Sequence, residues 1–123
     1  MVHEAIYDLL NGVCSNIFPG AAEQEINPPF LVHTQVKVNP TPDKDTTSKN
    51  DQLIYRIAAY DNTLQGAKTL ADNVRSEIDG YSGYNNNTDI IEIRYLNEES
   101  GFDLESGFHY ILQTYQILIR LIT

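Results

Sequence analysis

Three side chains have the right chemical types to form a nucleophile and its base: Cys14, His33 and His109. A cysteine thiolate activated by a neighbouring imidazole attacks carbonyl carbons. Cys14, however, follows an apolar helical stripe, which favours a small buried hydrophobe. His33 and His109 fall in separate predicted strands and share no metal-ligand spacing with His3. We therefore interpret these residues as structural and predict no catalytic, metal or cofactor site.

Two acidic stretches have simpler interpretations than calcium binding or acid–base catalysis. Residues 61–72 loosely resemble a calcium loop, with Gly66 at the sixth position, but Thr63 stands at the third and a helical stripe begins at Leu64. We interpret this segment as a helix start. A second group of carboxylates is interpreted as solvated surface and comprises Asp89, Glu92, Glu98, Glu99, Asp103 and Glu105.

Length and charge exclude several functional classes. The chain has 123 residues, of which 41% are hydrophobic, so it can bury one core but hardly two. Its formal net charge of −9 repels phosphate backbones and anionic membranes, so we expect neither specific nucleic-acid binding nor membrane binding. A single cysteine excludes an intramolecular disulfide. The first residues do not read as a signal peptide, so we expect a soluble protein made in a reducing cytoplasm.

Apolar periodicity predicts a single α+β domain over residues 1–123, with the element order α-β-β-α-β-β. Apolar residues at helical spacing predict helices over 2–13 and 64–81. Alternating apolar and polar residues predict strands over 30–38, 53–60, 90–96 and 108–122. Hairpin connections would make these strands an antiparallel four-stranded sheet, with both helices packed on one face.

Some positions within these elements receive specific predictions. Asn62 and Gln65 would form a capping box at the start of the second helix, and Gly80 would take the left-handed C′ position at its end. In the first strand, the apolar set that predicts the buried face is Phe30, Val32, Val36 and Val38. In the third strand, the corresponding set is Ile91, Ile93 and Tyr95.

The segments between these elements are predicted to be irregular. Residues 18–29 hold four Pro and Gly residues, and residues 97–107 form an acidic connector. Residues 39–51 contain no apolar side chain to offset ordering entropy, so we predict a mobile hairpin loop there. Such loops can order on a partner, and a tolerated insertion is the alternative. The candidate partner contacts in this loop are Pro42, Asp43, Lys44, Asp45 and Lys49.

The final strand carries more apolar side chains than one covered face needs. One face holds Leu112, Leu118 and Ile122, and the other holds Ile111, Tyr115, Ile117, Ile119 and Leu121. Two helices cover one face, so we predict that the second apolar face meets another chain. A fully covered central strand, or a sheet closed on itself, remains the alternative. The contact candidates in this strand are Leu112, Leu118, Ile119 and Ile122.

Several segments follow one another in a particular order along nearly the whole chain. They are Phe18-Pro19-Gly20, Pro29-Phe30-Leu31-Val32, Tyr55-Arg56-Ile57-Ala58-Ala59-Tyr60, the helix from Ala67 to Arg75 with Asp79-Gly80-Tyr81, and Phe102-Asp103-Leu104-Glu105-Ser106-Gly107-Phe108-His109-Tyr110. In this order they resemble the tail-completion proteins of long-tailed bacteriophages, which are tail terminator-like, head–tail joining proteins.

The resemblance implies a structural virion protein rather than an enzyme. Family members form a ring, typically a hexamer, that caps the tail tube at its head-proximal end and joins it to the head. The implied partners are further copies of this chain, the tail tube protein and the head connector or stopper protein, with DNA passing through the ring without specific binding. The implied location is the virion, after assembly in the host bacterial cytoplasm. The residues alone leave two other classes open: a small cytoplasmic α+β enzyme and a stand-alone ligand-binding or adaptor domain.

Overall fold

The computed structural model describes residues 2–14, 16–20, 27–41, 50–85 and 88–120. They form two helices, α1 (Val2–Leu10) and α2 (Leu64–Ile78). Six strands accompany the helices: β1 (Ile17–Pro19), β2 (Phe30–Thr41), β3 (Asn50–Asp61), β4 (Gly83–Asn85), β5 (Thr88–Asp103) and β6 (Phe108–Arg120). Within the described residues, neither helix combines the length and apolar character that crossing a bilayer requires.

The six strands form one mixed sheet in the order β1-β2-β3-β6-β5-β4. All neighbouring pairs are antiparallel except β1 and β2, which are parallel. The predicted α+β class is confirmed, whereas the four-stranded antiparallel sheet is wrong in strand number and in one strand direction. The two strands that were missed, β1 and β4, have three residues each, too few to show a period, and β1 begins the segment predicted as an irregular connector.

Both long hairpins extend further than predicted. The β2–β3 ladder reaches the pair Thr41 and Asn50, so residues 39–41 and 50–51 are strand rather than loop. The β5–β6 ladder reaches the pair Asp103 and Phe108, so the predicted acidic connector is mostly strand, with a turn at 104–107. Polar side chains do not prevent strand pairing, because the ladder is made by main-chain groups. The candidates that lie outside the described residues are Pro42, Asp43, Lys44, Asp45, Lys49 and Ile122.

Both helices pack on the same side of the sheet, which we call the covered face; the opposite side is the open face. From α2, the core receives Ala67, Leu70, Ala71, Val74 and Ile78, and from α1 it receives Ala5, Ile6 and Leu10. The sheet contributes mainly β3 and β6, through Leu53, Tyr55, Ile57, Ala59, Ile111, Tyr115 and Ile117. The prediction that both helices pack on one face of the sheet is therefore confirmed.

The ends of α2 follow local chemistry closely. Thr63 is the N-cap, and its hydroxyl accepts a hydrogen bond from the Gly66 N–H at 3.0 Å. The capping box on Asn62 and Gln65 is therefore wrong by one position, although the helix start itself is confirmed against the calcium loop. Gly80 follows the helix with φ of +84°, as predicted for a left-handed C′ residue.

Bulges change which residues of two strands face the core. In β2, Leu31 and His33 are buried on the covered face, while Val36 and Val38 are 44% and 42% exposed, so the predicted phase is wrong. Phe30 and Val32 lie opposite Tyr60 and Ala58 on the open face, so the predicted set already points away from the helices before the bulge. The ladder then shifts between Gln35 and Lys37, and this extra residue turns Val38 to the covered side, opposite Leu53.

A similar shift in β5 lies between Ile90 and Glu92. It brings Ile90, rather than the predicted Ile91, onto the covered face with Ile93 and Tyr95.

Candidate interaction surface

The residues considered for covalent chemistry are engaged in separate packing contacts. The buried Cys14 sulfur lies 3.6 and 3.7 Å from two main-chain carbonyl oxygens, which share the single thiol hydrogen as acceptors. His33 is buried, with its Nδ1 2.6 Å from the Tyr55 hydroxyl oxygen. His109 packs against Phe102 with ring centroids 4.8 Å apart, close to the turn between β5 and β6. In the described part of the chain, no group of three metal-ligating side chains occurs.

A polar cluster joins β5, β6 and α2. The Glu98 carboxylate accepts hydrogen bonds from Lys68 Nζ at 2.5 Å, the Tyr95 hydroxyl at 2.9 Å and Gln113 Nε2 at 3.2 Å. Gln113 is fully buried on β6, where its Nε2 also donates to a carbonyl oxygen of α2 at 3.0 Å. Its Oε1 accepts from the Tyr115 hydroxyl at 2.7 Å. The amide of Gln113 thereby has the partners that a buried polar group requires.

The electrostatics of this cluster favour a structural role. Partial burial acts to raise the pKa of Glu98, but the hydrogen bonds from Lys68, Gln113 and Tyr95 outweigh it and hold the pKa below its ordinary value. Donation to Glu98 and to Asp72 raises the pKa of Lys68. Both groups therefore stay charged and paired near neutral pH, which fastens β5 to α2. This cluster was not predicted, because Glu98 lies in the segment 97–107 that was predicted to be a connector.

The open face carries a row of aromatic rings near the β5–β6 turn. Phe30 stacks on Tyr60 with centroids 4.7 Å apart, and Tyr60 lies 5.5 Å from Tyr110. Phe18 and Phe108 meet the Phe30 ring edge-on at 6.2 and 5.9 Å. Neighbouring rings thus leave Phe30 only 5% exposed on the face opposite the helices. This row is an apolar surface that four strands build together.

A groove of about 480 Å³ lies between this row and the turn after β5. Its floor comes from Ala58, Tyr60, Tyr110 and Leu112, and its wall comes from Phe102, Asp103, Leu104 and Glu105. Gly101 permits the approach of Tyr110, because an added Cβ would collide with that ring. Leu104, on the wall, is 88% exposed. The groove therefore combines an apolar floor with an acidic and apolar rim.

The structure places the β6 candidates on different faces. Leu112 and Leu118 lie half-buried on the open face, where no helix of the described chain covers them. Ile119 lies on the covered face and packs against the core. β6 is a central strand, paired with β3 on one side and β5 on the other, so its main-chain groups are engaged. Partner contact by these residues remains a prediction.

Parts of β2 and β5 form exposed edges of the sheet that were not predicted from the sequence. β1 pairs with β2 only over 31–33, and β4 pairs with β5 only over 88–90. The 79–81 segment covers β5 as far as Tyr95 through three hydrogen bonds. Exposed apolar side chains then cluster on the remaining parts of both strands: Val36, Val38, Leu96 and Phe102 are 41–48% exposed. The sequence held no direct signal for this, because strand order decides which strand lies at an edge.

Comparison with known proteins bears on the fold. No family model and no curated protein matches the chain. Among solved structures, the chain is similar to one in the structure described as "Virion of native gene transfer agent (GTA) particle", with a TM-score of 0.77. The match covers 94% of this chain and 92% of that chain, at 11% sequence identity. The two chains therefore share a fold over nearly their whole lengths.

Proposed function

We propose that this protein is a structural component of a phage-like virion. The observation that carries the proposal is the shared fold, over 94% of this chain, with a chain of a gene transfer agent virion. The surface chemistry is compatible with it. Cys14, His33 and His109 are committed to packing, whereas the open face and the edges of β2 and β5 expose apolar side chains of the kind that assembly interfaces use.

Within the virion, the proposed role is a ring at the head-proximal end of the tail. The order of segments that resembles the tail-completion proteins supports this position and a hexameric ring. The ring would cap the tail tube and join it to the head connector or stopper protein, with DNA passing through without specific binding. A net charge of −9 per chain suits such a passage, because acidic walls do not hold phosphate backbones.

Two surfaces are proposed to make the contacts with partners. Leu112 and Leu118 belong to the open face. The other proposed contacts are Ile119, on the covered face, and Ile122, which lies outside the described residues. Tube or connector contact is proposed for Pro42, Asp43, Lys44, Asp45 and Lys49, which stand between two paired strands and are rich in charge. A ring needs head-to-tail contacts that close by rotation, so each copy must present two different surfaces.

Deleting the coding sequence from the element that encodes this protein tests the proposal. We expect DNA-filled heads and finished tails that do not join, counted by negative-stain electron microscopy, and rescue when the wild-type chain is supplied in trans. A normal yield of joined particles without the protein would contradict the joining role. Absence of the protein from purified wild-type particles, measured by mass spectrometry, would contradict a virion component of any kind.

A further inference from the structure

The sheet has one free segment on each edge, and the two segments differ in character. On β2 the free segment is residues 34–39, beyond the stretch that β1 covers. On β5 it is residues 96–103, beyond the stretch that β4 and residues 79–81 cover. Neither segment has an outer main-chain partner among the described residues. Exposed main-chain groups of this kind can template pairing with another strand.

The two segments are complementary in charge. The β2 segment carries Lys37 between the exposed Val36 and Val38. The β5 segment carries Glu99 and Asp103, alongside exposed apolar side chains. Pairing two β5 segments across a two-fold axis would oppose acids to acids, and pairing two β2 segments would oppose lysines. Opposite charges in facing positions stabilise a strand pair, so the favoured partner of each segment is the other one.

We propose that residues 34–39 of one copy of this chain pair antiparallel with residues 97–101 of the next copy, with Lys37 opposite Glu99. The inference deepens the proposed ring function and rests on it, because it names the surface by which neighbouring copies join. Both side chains lie on the open face, since Lys37 is opposite Ile54 and Glu99 is opposite Leu112 in their own sheet. Directly opposed residues of an antiparallel pair share a face, so the match is geometrically consistent.

The strand directions also agree. Within one sheet β2 and β5 run in opposite directions, because β2, β3, β6 and β5 are successive antiparallel neighbours. Copies related by rotation about an axis near the strand direction keep these directions. The β2 segment of one copy therefore meets the β5 segment of the next as an antiparallel pair, and the sheet continues from copy to copy.

The offset between the two segments has the size that a closed sheet requires. Across the sheet, Lys37 is opposite Ile54 of β3. Glu99 is opposite Leu112, which is itself opposite Ala58, four residues after Ile54 along β3. Four residues correspond to a stagger of about 14 Å, and the four strands that each copy adds span about 19 Å. The resulting strand inclination is about 35°, within the range of closed β-barrels. The joint thus favours a closed ring over a flat array.

Cysteine cross-linking tests the joint without disturbing the charged pair. Because the bulge at Val36 adds one residue to β2, the proposed register places Gln35 opposite Ser100, and both are exposed. In a Cys14→Ala background, separately tagged Gln35→Cys and Ser100→Cys proteins are mixed and oxidised. We expect a disulfide-linked heterodimer from the mixture and none from either variant alone. Gln35→Cys mixed with Asn73→Cys, an exposed position on α2, is the matched control and should give no disulfide-linked dimer.

Exchanging the charges of Lys37 and Glu99 tests the same joint independently. Lys37→Glu and Glu99→Lys should each weaken association by about tenfold in sedimentation experiments, and the double exchange should restore it. Rings that form normally without the Gln35–Ser100 cross-link would overturn the joint while leaving the virion role intact. Cross-linking of Gln35→Cys with itself would overturn it in favour of a two-fold contact. Failure of the virion role is recognised by a different result, the absence of the protein from purified wild-type particles.

Discussion

Both faces of β6 are apolar, but the helices of the described chain cover only one of them. On the covered face, Ile111, Tyr115 and Ile117 are at most 3% exposed beneath α2. On the open face, Leu112 and Leu118 are only half-buried, and no helix of the described chain covers them. The difference shows that stability is concentrated under the helices, while the open face and the free edges hold apolar surface that folding alone does not use.

Shortening one side chain on each face, at neighbouring positions of β6, should give the largest difference in unfolding free energy. Ile117→Ala removes a fully buried side chain and should cost about 2–5 kcal/mol of unfolding free energy. Leu118→Ala, one residue away, should cost about 1 kcal/mol because its side chain is only partly buried. Urea unfolding of both variants measures the difference. Equal losses would show that the open face is covered as completely as the other.

Removing a charge from the polar cluster of Glu98 should have an intermediate effect on stability, and this effect should depend on pH. Glu98→Gln removes the charge that Lys68 pairs with, and we expect a loss of about 1 kcal/mol at neutral pH, since the pair is partly exposed. The folded pKa of Glu98 lies below its ordinary value of 4.5, so the stabilisation is present above that pH and disappears as pH falls through the folded pKa. The stabilities of wild type and variant should therefore converge in acid.

The control for this prediction is Asp72→Asn. It touches the same Lys68 at 3.2 Å but is more exposed, and it should change stability little at any pH. A Glu98→Gln deficit that stays constant from neutral pH to pH 3 would assign the effect to packing rather than to charge.

Polar substitutions on the open face should have the smallest effect on folding and a large effect on assembly. Leu112→Ser and Leu118→Ser should each lower the free energy of unfolding by about 1 kcal/mol, as for Leu118→Ala. We expect ring formation or head–tail joining to fall sharply, as measured by electron microscopy of particles. Leu64→Ser, at an exposed position that begins α2, is the matched control and should join normally. Normal joining by the two open-face variants would remove that face from the proposed contacts.

Local patterns predicted the elements whose stability is local. The spacing of apolar residues from Leu64 to Ile78, together with Gly80, was sufficient to identify α2, and the two apolar sides of β6 were visible from alternation. The choice between a calcium loop and a helix start was also correct, because an N-cap depends on residues within one turn. These features depend on interactions between residues close together in the chain.

What the sequence by itself determined was therefore which segments are amphipathic and how many apolar faces they present. The tertiary structure alone decided the strand order, the β5 bulge that moved Ile91 off the core, and the contact of Glu98 with Gln113. It also decided that β2 and β5 keep free edges. The physical reason is that periodicity reports the environment of each side chain, whereas pairing partners are set by main-chain hydrogen bonds between residues far apart in sequence.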